Sequence, residues 1–139
     1  MIELIGFLNS PRRDDALLKE AGVSLDRALF PLLVRLGMSG ALSVGDLADQ
    51  VGRDHTTVSR QLAKLEELGF ISRQAADADR RVKAAILTAE GDSVVQAITA
   101  ARRRLLGRAL AGWSEDDRMS LADLNRRLVE ALVTAAEGR

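Results

Sequence analysis

The chain has 139 residues, 47% hydrophobic and 29% charged, which gives one domain enough apolar content to fold and excludes a disordered polymer. Its 20 basic and 20 acidic groups cancel, so any attraction to a polyanion rests on where the charges lie rather than on their sum. The absence of cysteine excludes thiol redox sensing and cysteine zinc sites, and 3% aromatics without tyrosine argue against stacking of unpaired bases.

In chain order, residues 1–8 form a short apolar helix with Ile2, Leu4, Ile5, Phe7 and Leu8. This start lacks a basic leader and a small-residue cleavage site, so it makes a poor signal peptide, and no apolar run approaches the ~20 residues that span a bilayer. A cytoplasmic location and no membrane partner are expected. Ser10 and Pro11 then open a second helix that Gly22 ends. Ser24 is expected to cap a third helix, with Leu25, Leu29, Leu32, Leu33 and Leu36 inward. Pro31 kinks that helix unless it begins near the proline.

Gly37 and Gly40 break the pattern, and Ala41 with Leu42 supplies a short strand. Ser43 and Asp46 make a variant capping box for a helix whose apolar side is Val44, Leu47, Ala48 and Val51. Gly52 and Arg53 turn the chain, and Asp54 caps a helix running to about Leu68. Gly69 ends it. Residues 70–74 and 82–87 form two strands joined by a polar loop over 75–81. A long helix follows from Thr88. Ser114, Glu115, Asp116 and Asp117 start a final one that carries Leu121, Leu124, Leu128, Leu132 and Val133.

A small residue at Ala48, a glycine at Gly52 and an apolar anchor at Val58 fit two helices crossing through a tight turn. The fold class is therefore mostly α with a small β-hairpin, a winged helix-turn-helix flanked by N- and C-terminal helices. Residues 1–36 supply support, 37–92 the winged lobe and 93–139 the C-terminal helices, in one integrated domain.

At 100° per residue, Val58, Leu62 and Leu65 form one narrow apolar stripe of the second motif helix. Thr56, Thr57, Arg60, Gln61 and Lys64 make the opposing polar face. Arg60 can pair bidentately with guanine and Gln61 with adenine, while Thr56, Thr57 and Ser59 suit phosphates or a thymine methyl and Lys64 a phosphate. The plain alternative is a solvated helix face. His55, at the edge of the apolar stripe, is a packed or first-turn histidine, with a phosphate contact as its functional reading. Residues 52–83 gather seven basic groups (Arg53, Arg60, Lys64, Arg73, Arg80, Arg81, Lys83) against five acidic ones, so modest, salt-sensitive binding to double-stranded DNA is expected. Arg80 and Arg81 stand beside Asp77 and Asp79 in the polar loop. There an arginine suits a narrow minor groove and an aspartate can hold its guanidinium; a salt-bridged turn is the alternative.

These residues resemble the MarR family of bacterial transcriptional regulators. The likeness rests on residues 43–51 and 54–68, and above all on the D-x-D-R-R run at 77–81 followed by Leu87, Thr88 and Gly91. It covers about residues 40–92, and the flanking helices match in number and amphipathic character. The resemblance implies a recognition helix in the major groove, with Thr56, Thr57, Ser59, Arg60, Gln61 and Lys64 as DNA-binding residues. It also implies Arg80 or Arg81 in the minor groove, with Asp77 and Asp79 as wing support. It further implies a homodimer built by the terminal helices, acting as a repressor on a pseudo-palindromic operator. Family members are often released by a small aromatic effector, for which an apolar crevice near Phe30, Leu106 and Trp113 is a candidate, although such residues are more often core.

No enzyme and no cofactor are expected, because the chain lacks a nucleophile–base pair, a metal cluster and a glycine-rich phosphate loop. The competing reading is a winged-helix protein-interaction module that never touches bases.

Overall fold

The computed structural model describes residues 2–76 and 79–138, and at 76 and 79–82 the backbone alone. The described elements are helices α1 (Ile2–Leu8), α2 (Pro11–Ala21), α3 (Phe30–Ser39), α4 (Val44–Val51), α5 (His55–Glu67), α6 (Ala89–Ala109) and α7 (Glu115–Glu137), with strands β1 (Leu42–Ser43), β2 (Ile71–Ala76) and β3 (Asp79–Leu87). The chain divides into two compact units, Met1–Arg102 and Arg103–Arg139.

In the first unit, Leu29, Leu32, Leu33 and Leu36 meet Leu47 and Ala48 of α4, Val58, Leu62 and Leu65 of α5, Ile71 of β2 and Ala85 of β3 in one buried cluster. Each such leucine contributes about 1.5–3 kcal/mol by leaving water, and together they fix how α4 and α5 cross. The third helix starts later than the serine signal suggests. Residues 27–29 form a turn, α3 begins at Phe30 and Pro31 lies in its first turn. A proline there lacks only an N–H that would have had no helical partner, so the helix begins where the ring is harmless. Leu29 is still buried, and Leu25 packs partly buried on the core from outside any helix.

The helix-turn-helix forms by local signals. Ser43 Oγ accepts from the Asp46 amide at 3.1 Å, and Gly52 closes α4 at φ 68°, where a side chain would be strained. The three-stranded sheet runs β1-β3-β2, all antiparallel. β1 is Leu42 and Ser43, one residue beyond the expected pair, because Ala85 and Ala84 set the register. The wing also differs from expectation. β2 and β3 pair from Ile71↔Leu87 to Ala75↔Lys83, and the register then shifts so that Ala76 meets Asp79. That irregularity extends the ladder into the segment expected to be loop, so Asp79, Arg80 and Arg81 have strand backbone.

Thr88 ties the wing to α6. Its hydroxyl donates to the Gly69 carbonyl at 2.6 Å and accepts from the Gly91 amide at 3.1 Å, while its own amide donates to the Phe70 carbonyl at 3.0 Å. One threonine thus caps α6 and fastens it to the chain leaving α5.

The second unit holds the end of α6 and α7. Ser114 Oγ accepts from the Asp117 amide at 3.1 Å, with three acidic residues in the first turn to match the helix dipole. No residue of α7 is buried. Leu106 and Trp113, read above as more often core, are 56% and 46% exposed, whereas Phe30 is buried. Two helices present too little surface to enclose a tryptophan between them. Among the described residues, no helix is long and apolar enough to cross a membrane.

Candidate nucleic-acid interface

α5 carries the candidate face, and its two sides are sharply divided. Val58, Leu62 and Leu65 are fully buried, while His55, Thr56, Arg60 and Lys64 are exposed and Thr57, Ser59 and Gln61 lie between. His55 is thus a first-turn residue rather than a packed one. The apolar side, locked into the core, determines which way the polar side looks.

Asp54 organises the helix start. Its Oδ2 accepts from the Thr57 amide at 3.0 Å and its Oδ1 from the Thr57 hydroxyl at 2.6 Å. The hydroxyl bond, then the amide bond, hold its carboxyl below the usual 3.8, and the nearby Arg60 charge acts in the same direction. The Thr57 proton is therefore committed within the protein. What Thr57 offers a duplex is its methyl, suited to a thymine methyl, rather than a donor to phosphate.

The depressed carboxyl gives a pH expectation. The cap stabilises the fold fully above 3.8, and its contribution fades as pH falls through the lower folded-state value. Asp54→Ala should melt earlier than wild type at neutral pH, and the two melting curves should converge under strongly acidic conditions. A gap that stays constant across that acidic range would show that the carboxylate is not what caps α5.

Lys64 Nζ lies 3.7 Å from Glu67 Oε2, an exposed pair that a phosphate can replace at little cost. Gln61 is engaged differently: Arg53 Nη1 donates to its Oε1 at 2.8 Å and to the Ala28 carbonyl at 2.7 Å. Arg53 is one of the seven basic groups of residues 52–83, but nothing in the sequence signals that it reaches 25 residues back to Ala28. Beside this bridge runs an open groove of about 760 Å³, lined by Leu25, Leu29 and Leu68 on one hand and Thr57, Arg60, Gln61 and Lys64 on the other.

In the wing, Asp77 lies outside the described residues, and Asp79, Arg80 and Arg81 are placed by backbone alone, in β3. Arg73, one strand across, has a buried Nε without a hydrogen-bond partner among the described residues.

Comparison with known proteins agrees with this architecture. The model of the MarR family matches residues 25–83. Over 109 residues the chain is 28% identical to the HTH-type transcriptional regulator YdgJ of Bacillus subtilis (strain 168), covering 78% of this chain and 66% of that protein. Over 103 residues it is 28% identical to the HTH-type transcriptional repressor MdtR of the same organism, covering 74% of this chain and 66% of that protein. The match therefore spans just under two thirds of these relatives' length. The crystal structure of MarR superposes with a TM-score of 0.79 at 26% identity, covering 100% of this chain and 95% of that one. The matched segment, the relatives and the winged-helix fold agree in making the chain similar to the MarR family.

Proposed function

We propose that the chain is a sequence-specific regulator of transcription that binds double-stranded DNA as a homodimer and represses by occupying a pseudo-palindromic operator. Each copy takes one half-site, with the two about one helical turn apart. The observation that carries this reading is the polar face of α5, with Thr56, Arg60 and Lys64 exposed opposite a fully buried Val58, Leu62 and Leu65. Its N-terminus is capped and oriented by Asp54, and such a helix start can enter a major groove. Thr56, Thr57, Ser59, Arg60, Gln61 and Lys64 form the contact set on α5, and Arg80 and Arg81 that of the wing, supported by Asp77 and Asp79.

The dimer reading rests on apolar side chains without cover in the single chain. Ile2 is 87% and Phe7 62% exposed on α1, and Leu124 and Leu132 are 57% and 61% exposed on α7. A second copy covers such surfaces at least cost, since one patch serves both partners. Residues 1–36 and 93–139 are then the dimerising parts around the reading lobe at 37–92. Relief by a small ligand completes the proposal, and the protein works where the chromosome is, in the cytoplasm.

Titration against duplexes from the gene's own upstream region tests the reading, with and without candidate aromatic ligands. Arg60→Ala should cost about 1–3 kcal/mol on the preferred site and relax choice at one base step. Replacing Arg80 and Arg81 together should flatten the salt dependence of binding. Wild-type protein that shows no salt-dependent binding to any duplex would instead favour a protein-interaction module.

A further inference from the structure

The bond from Arg53 to Gln61 bears on which base Gln61 can read. A guanidinium carries donors only, so the end of the Gln61 amide that faces it must be the oxygen. Arg53 Nη1 has two hydrogens, and the structure uses both, one on Gln61 Oε1 at 2.8 Å and one on the Ala28 carbonyl at 2.7 Å. Ala28 is itself held, its amide donating to Asp26 Oδ1 at 2.9 Å. Arg53 and Gln61 are both partly buried, so the bridge is shielded from competing water. Gln61 Nε2 has no hydrogen-bond partner among the described residues and is the amide group left for a ligand.

We infer that Arg53 is a positioning residue that fixes Gln61 as a hydrogen-bond donor, so that Gln61 prefers guanine, whose O6 and N7 both accept, over adenine, whose N7 accepts while its N6 amine faces the same donor. The inference rests on the proposed placement of α5 in the major groove. Bidentate reading of adenine needs the amide oxygen and nitrogen together on the base, the oxygen taking the N6 hydrogen and the nitrogen giving to N7. With its oxygen end turned to Arg53 and Ala28, the amide reaches the base through nitrogen alone.

The test measures base preference at every position of a selected operator, using the full chain and four proteins: wild type, Gln61→Ala, Gln61→Glu and Arg53→Met. Wild type should favour guanine over adenine about tenfold at one step per half-site, and Gln61→Ala should level that step alone. Arg53→Met frees the amide and should move the preference at that step to adenine. Gln61→Glu keeps one oxygen on Arg53 and puts an acceptor where the donor was, so the preference should pass to cytosine, whose N4 amine donates. This variant carries the test even where Arg53→Met unfolds.

Adenine preferred by wild type at the step that Gln61→Ala levels would overturn the inference and leave the placement of α5 intact. So would an unchanged preference in both Arg53→Met and Gln61→Glu. Wild-type binding without preference at any position would overturn the placement itself, and the inference with it.

Discussion

Gly91→Ala should lower the melting temperature of the chain by roughly 10 °C, which corresponds to about 3 kcal/mol for a domain of this size. Gly91 is buried in the first turn of α6. A Cβ built there falls onto the carbonyl oxygen of Phe70, 2.9 Å from its carbon and 3.3 Å from Leu87 Cδ2. The obstacle is backbone, so no rotamer change relieves it. The same Phe70 oxygen accepts from the Thr88 amide, so moving it away loosens the bond that fastens α6 to the end of α5. Gly45→Ala is the matched control. Its added methyl meets nothing closer than Ser43 Oγ at 3.9 Å, and stability should hold or rise by up to about 1 kcal/mol. Equal melting temperatures for Gly91→Ala and wild type would show that this joint is not tight in solution.

That joint marks where sequence and structure part. Leu87, Thr88 and Gly91 were legible as part of a resemblance to a family, but not as a mechanism. The reason they occur together needs the chain on both sides of the hairpin: Gly69 and Phe70 follow the end of α5, and Thr88 and Gly91 begin α6 nineteen residues later. Local signals did better. Ser43, Asp54 and Ser114 cap their helices as their spacing implied, because a cap is complete within four residues. The division of α5 was equally legible, since one helical period decides it. The start of α3 was not, because a serine cap and a proline seven residues later compete and only the packing of Leu29 and Phe30 decides between them. Arg53 was the least legible of all. A residue in a turn gives no hint that it will hold the side chain of Gln61 and the carbonyl of Ala28 together.

Replacing both Leu124 and Leu128 by Asp should convert the protein to a monomer and weaken operator binding by about 10²–10⁴-fold, the gain that linking two half-site contacts supplies. Leu121, Leu124, Leu128 and Leu132 recur every three or four residues along α7, one stripe of a helix in which nothing is buried. Because these side chains are exposed in the single chain, carboxylates there disturb no core of its own, and the melting of the isolated chain is not the reporter. In the proposed dimer the same carboxylates are driven together or stripped of water, and each unpaired charge costs several kcal/mol. Light scattering reads the change in mass, and titration on a full operator and on an isolated half-site separates the loss of linkage from any damage to the reading face. Half-site binding should stay near the wild-type value, since Arg60 and Lys64 lie far along the sequence in a unit that these substitutions do not enter. A double variant that remains dimeric and binds the full operator as wild type does would place the interface elsewhere on the chain.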